Sequence, residues 1–354
     1  MNKVVFLIIL LIVFLANSIL FFIIFDNYLV NQKVSMEKTD NIVIIDDSIY
    51  LNSLTLRQKI AQMIMIRGDK EKLEFTDLNV GGIFLDDLHS EEAYKLLIEK
   101  YQNNSKIKFL VATDLEGIWN PFPNERFPYF SEINSSREAY NVGLKQGKLL
   151  NETGFNLNFA PVAEYLDSVY GGRTFKGNKN EVEEKLESYI KGLQKNVFGT
   201  CKHYPGNSME KNLHLVVDLQ YISDDDLKLF DICLKNNISS IMVSHQVVSG
   251  SLNSNGKPSS VSEEIISNID DSVLIISDEI NMRGVSLFYK NKIDLYADLI
   301  NSGENLILDF DLTPNSLYKL ILEIEKEVEN GNIDKSKIDH SVKKILELKG
   351  YSVI

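Results

Sequence analysis

Asp278 stands at the end of an apolar run in IISDEINMRG. A carboxylate just past a buried strand can serve as nucleophile, base or metal ligand, or can cap the following helix. Lys202 and His203 end another apolar run in CKHYPG, where Pro-Gly turns the chain away. A lysine there offers a Schiff-base amine, a donor to a substrate hydroxyl, or half of a buried ion pair. His203 suits ligand contact or hydrogen-bonded packing. His214 follows in NSMEKNLHL. An imidazole titrates near neutrality, so it can move a proton, although a solvated loop histidine has the same sequence appearance. Arg173 in YGGRTFKG comes after two glycines, which let the backbone bend and aim the side chain; otherwise it is a surface arginine. Asp114 lies in ATDLEGIW, where a carboxylate can accept two hydrogen bonds from adjacent hydroxyls. Trp119, the only tryptophan, lies close by and either stacks on a ring or packs in the core.

These residues need a frame that brings them together. Eight continuously apolar runs recur: Met63–Ile66, Gly82–Leu85, Phe109–Thr113, Leu157–Ala160, Val197–Cys201, Ile241–Ser244, Leu274–Ser277 and Asn305–Leu308. Runs without alternation fit strands buried on both faces. Amphipathic stretches lie between them, among them Glu91–Gln102, Ser136–Glu152, Glu181–Lys195 and Asp224–Asn236. Strand and helix in alternation imply a parallel sheet, and eight strands imply a closed (β/α)₈ barrel. Asp114, Glu116, Glu164, Lys202, His203, His245, Asp278, Glu279, Asp309 and Asp311 all fall at or just after strand ends. In a barrel those ends share one face, which carries the active site.

The net charge of −13 argues against a nucleic-acid partner. The two cysteines, Cys201 and Cys233, sit in apolar surroundings and are expected to be buried thiols without a disulfide. From Val4 to Phe25 the chain carries no charge over 22 residues, against the roughly 20 a spanning helix needs. No A-x-A cleavage pattern follows, so a retained anchor is expected, with the bulk of the chain on the extracytoplasmic side of the cell membrane. The α/β barrel is thus preceded by one transmembrane helix. The expected division is an anchor over residues 1–25, a juxtamembrane linker over 26–53 and a barrel over 54–354.

The ordered segments SLTLRQKIAQMIMI, VGGIFL, VATDLEG, LNFAPVAEY, GGRTF, KHYPG, IMVSH, IISDEINM and IDHSVKKILELKG resemble family 3 glycoside hydrolases. The likeness is nearest to the bacterial β-N-acetylhexosaminidases that trim cell-wall fragments, and it covers about Ser53 to Gly350. It implies a (β/α)₈ barrel and retaining hydrolysis of a β-linked N-acetylglucosamine from peptidoglycan-derived glycans, with no cofactor and no metal. It makes Asp278 the nucleophile and His214 the acid/base. Asp114, Arg173, Lys202 and His203 match the positions that hold the sugar.

The sequence departs from the family pattern in the histidine loop. KHYPGNSMEKNLH is one residue shorter, and Asn212 replaces the aspartate two residues before the histidine. Asparagine brings no charge to hold an imidazolium, so a weaker acid/base is expected, with Glu210 or Asp218 as candidate substitutes. Ile118-Trp119 replaces Gly-Arg, Glu164 replaces an aspartate, and Glu304-Asn305 replaces Asp-Leu. The other reading these changes leave open is a catalytically weakened relative that binds glycan or a cell-wall partner.

Overall fold

The computed structural model describes residues 42–166, 169–206 and 212–354, with residues 12, 13, 17 and 18. Apart from those four residues, the expected transmembrane helix, and the linker as far as residue 41, lie outside the described residues. So do Glu210 and the rest of 207–211. Among the described residues no helix is long and apolar enough to cross a membrane.

Eight parallel strands close into a barrel: β1 (Ile64–Arg67), β2 (Gly82–Phe84), β3 (Leu110–Thr113), β4 (Leu157–Asn158), β5 (Phe198–Tyr204), β6 (Ser240–Val243), β7 (Leu274–Glu279) and β8 (Leu306–Leu308). They pair in chain order, and β8 closes onto β1 through Ile307 beside Ile64 and Leu308 beside Met65. Each expected run became a strand, with ends displaced by at most three residues. The apolar runs tolerate this arrangement because helices cover one face of the sheet and the packed barrel interior covers the other.

The helices Glu91–Asn104, Ser136–Thr153, Lys179–Leu193, Asp224–Lys235 and Pro314–Glu329 belong to the outer layer. Each begins where a short polar side chain, Ser90, Ser135, Asn178, Ser223 or Thr313, accepts a hydrogen bond from a backbone N–H three residues on. That bond satisfies a donor the helix itself leaves open.

Two additions frame the barrel. Strands Ile44–Ile45, Ser48–Ile49 and Ser352–Val353 form a small sheet that ties the chain's end to residues 44–49. Residues 42–53, expected as linker, are therefore packed structure, because Ile42 and Ile49 bury their side chains in the core. Leu219–Ile222 pairs with Val247–Gly250 in parallel, linking the segments that follow β5 and β6.

Cys201 and Cys233 form a disulfide, contrary to the expectation of free thiols. Cys201 is on β5 and Cys233 is on the helix Asp224–Lys235 that packs against it. An apolar setting is common to a buried thiol and a buried disulfide. Only the meeting of strand and helix separates them.

Candidate active site

A cavity of about 510 Å³ opens among the strand ends of the barrel. Asp114, Arg173, Lys202, His203, His214 and Asp278 all line it, so the fold gathers these six candidates into one place. They come from the ends of β3, β5 and β7 and from the segments after β4 and β5.

The inner half is a continuous charged network. Lys202 lies at β5 with its ammonium on Asp114 and 3.5 Å from Glu116. Arg173 donates through Nε to Glu116 at 2.7 Å, and its Nη2 lies 3.4 Å from His203 Nε2. His203 Nδ1 lies 3.0 Å from Glu164 Oε1. Arginine can only donate, so His203 Nε2 accepts and Nδ1–H donates to Glu164. That fixes a neutral tautomer. Burial lowers the His203 pKa well below its usual value, and the positive charges of Arg173 and Lys202 lower it further. Burial alone would also lower Arg173, but the carboxylates around it, Glu116 first and then Glu164 and Asp114, together outweigh it and keep the guanidinium charged.

Local backbone aims these groups. Gly171 has φ +76°, a left-handed turn that glycine adopts without a Cβ penalty, two residues before Arg173. The backbone of Lys202 is held between Pro161 and Ala163, with N–H···O distances of 3.1 and 2.7 Å.

Asp278 is half-buried at the end of β7, and its Oδ1 accepts the backbone N–H of Glu279 at 2.8 Å. It does not cap a helix. The next helix, Arg283–Ser286, has Met282 at its N-cap with no side-chain bond. His245 braces the same strand end. Its Nε2 donates to the Glu279 carbonyl at 3.0 Å, while Nδ1 accepts from Ser260 at 2.7 Å.

The outer half is built differently. His214 is exposed, and among the described residues its imidazole makes no hydrogen bond. Asn212 Oδ1 accepts the backbone N–H of His214 at 2.9 Å. Asn212 therefore fixes the turn through the backbone of His214 and, among the described residues, makes no hydrogen bond to the ring. Asp218 is buried and accepts from Gln220 at 3.1 Å. The segment is anchored by Leu213, whose carbonyl accepts from Gly284 N at 2.9 Å. A Cβ on Gly284 would stand 2.9 Å from Leu213 Cδ2 and 3.1 Å from His245 Cβ, so a side chain there would push the Leu213 side chain aside.

Several contributors carry no role in the sequence reading. Glu116 is fully buried and bridges Arg173 to Lys202. It lies two residues after Asp114, the spacing that puts side chains on one side of an extended chain. Asp86 and Arg67 pair at the cavity wall, and burial pushes Asp86 up to about 6 despite that partner. Burial likewise pushes Glu279 up to about 7, against hydrogen bonds from Asn281 and the Phe310 amide. Asp309 turns away from the cavity to Lys292 at 2.8 Å and Tyr296 at 2.9 Å. No group of three or more His, Cys, Asp or Glu among the described residues is arranged to hold a metal ion.

Barrel and cavity define a class: a (β/α)₈ protein with a carboxylate-rich, cation-lined pocket at the strand ends. The chain matches the glycosyl hydrolase family 3 N-terminal domain over residues 55–348, and it belongs to that family of glycosidases. No curated protein matches it. Among solved structures it is similar to a family 3 β-N-acetylglucosaminidase from Paenibacillus sp. str. FPU-7, with 22% identity and a TM-score of 0.75. That match covers 84% of this chain and 62% of the other. It is also similar to a β-N-acetylhexosaminidase from Beutenbergia cavernae, with 19% identity, a TM-score of 0.70, and coverage of 84% and 99%. A third is the β-glucoside phosphorylase BglX, with 18% identity, a TM-score of 0.74, and coverage of 84% and 59%. The chain thus spans under two thirds of the first and third of these. At such identities the likeness concerns the fold.

Proposed function

We propose that the protein is a retaining exo-β-N-acetylhexosaminidase acting on N-acetylglucosamine-containing glycans of the cell wall. The observation that carries the reading is the joint lining of one cavity by Asp278, His214, Asp114, Lys202, Arg173 and His203, with Glu116 buried behind them and bridging Arg173 to Lys202. Asp278 is the nucleophile. Its carboxylate attacks the anomeric carbon and the leaving oxygen departs with a proton from His214. Water activated by His214 then releases the sugar. The inner network holds the sugar, with Asp114 accepting from hydroxyls and Lys202 and Arg173 donating to them.

The protein works on the extracytoplasmic side of the cell membrane, anchored by the apolar run from Val4 to Phe25. The Cys201–Cys233 disulfide supports that side, since disulfides persist in oxidising compartments. The bare His214 imidazole favours a second reading, a catalytically weakened glycan binder.

The test is hydrolysis of 4-nitrophenyl β-N-acetylglucosaminide and of the β-glucoside by the full-length chain, with Asp278→Asn beside it. Turnover of the N-acetyl sugar, reduced about 10⁴-fold or more in the variant, is expected, with the melting temperature within a few degrees. Activity that survives the substitution removes Asp278 from its role. A folded wild type that releases nitrophenol from neither sugar, yet binds N-acetylglucosamine, establishes the weakened relative. NMR of the first-formed anomer distinguishes retention from inversion.

A further inference from the structure

The cavity mouth carries an aromatic pair that hydrolysis at Asp278 does not use. Trp119 lines the cavity and is 44% exposed. Its ring centre lies 5.5 Å from that of Tyr170, with the planes at 74°, an edge-to-face contact. Tyr170 in turn has the Arg173 guanidinium carbon 5.3 Å from its ring centroid. The pair thus adjoins the charged network but stands outside it, since Lys202, Arg173 and His203 are buried.

We propose that Trp119, propped by Tyr170, is the platform for the pyranose ring on the leaving-group side of the scissile bond. The inference rests on the glycosidase reading of the same cavity. The network's cations and carboxylates suit the hydroxyls of the sugar being cleaved off. Trp119 offers no charge, only a flat apolar face, and the C–H face of a pyranose packs on such a face.

The platform is held in place before any ligand arrives. Glu116 N donates to the Trp119 carbonyl at 3.1 Å. Asn120 Oδ1 accepts from Phe122 N at 2.9 Å, and its amide donates to the Glu125 carbonyl at 2.8 Å. One turn therefore carries both the Glu116 carboxylate, which fixes Arg173 and Lys202, and the exposed indole. A rigid aromatic loses little conformational freedom when a ring stacks on it.

The test compares two substrates on the full-length chain: N-acetyl-β-glucosaminyl fluoride, whose leaving group is one atom, and N,N′-diacetylchitobiose, whose leaving group is a sugar. Trp119→Ala is expected to lower the ratio of kcat/KM for the disaccharide to that for the fluoride by about three- to tenfold, mainly through KM. Trp119→Phe is expected to restore most of the ratio. A ratio within twofold of wild type in both variants overturns the platform. So does an equal fall on both substrates, which would make Trp119 a prop for Arg173. Failure of the wild type to turn over even the fluoride would sink the glycosidase reading itself, and the platform with it. The fluoride reaction also reports whether Trp119→Ala is folded.

Discussion

The inner and outer halves of one cavity are held by different means. In the inner half every charged side chain meets a charged or hydrogen-bonding partner, from Asp114 through Lys202, Glu116, Arg173 and His203 to Glu164. In the outer half His214 stands in solvent on a turn fixed through its backbone by Asn212. In the proposed assignment the sugar-holding groups are thus ordered before the ligand arrives, whereas His214, the proposed acid/base, is placed by a peptide turn and one contact at Leu213. Preorganised charge needs no reorganisation when substrate binds. An unconstrained imidazole must find its orientation in each turnover.

The largest effect that would break this comparison lies at Glu116. Glu116→Gln should leave Arg173 and Lys202 short of a buried counter-charge and cost about 3–5 kcal/mol of stability, read from urea unfolding. Loss below 1 kcal/mol would mean the network is not tightly coupled. His214→Ala should lower turnover of a disaccharide about 10²-fold or more while nitrophenyl glycoside turnover falls far less, because nitrophenolate leaves without an acid. Equal losses on both would place His214 in binding.

A third effect is on pH. The folded protein holds the Glu279 proton up to about 7, whereas the unfolded chain loses it in the ordinary carboxylate range. The native state therefore binds the extra proton between those values, and stability falls as pH rises from about 4.5 to about 7. Glu279→Gln should flatten the fall in melting temperature between pH 5 and pH 8. Burial pushes Glu304 in the same direction, so a residual slope should remain in the variant. An unchanged slope would remove Glu279 as its source. The smallest effect is at Asn212. An aspartate there still faces the His214 backbone N–H, so Asn212→Asp should alter kcat by less than about threefold, within the scatter of a surface change. A tenfold gain would show that the side chain reaches the ring.

The barrel was legible in the sequence because parallel strands buried on both faces leave continuous apolar runs, and chain order then gives their neighbours. Site candidates were legible for the same reason, since a charged residue at the end of such a run has only one face of the barrel to occupy. Roles for Asp278 and His214 came from ordered motifs. What stayed hidden were contacts between distant segments. The Glu116–Arg173 pair spans 57 positions and the Cys201–Cys233 bond spans 32. Neither leaves a local pattern. The sequence by itself determined the strand order, the face that carries the chemistry and the side chains available there. Tertiary structure alone decided which carboxylate holds which cation, that the two thiols are joined, and that Asn212 serves the backbone. Those choices depend on distances of a few ångströms between residues whose separation along the chain carries no information about them.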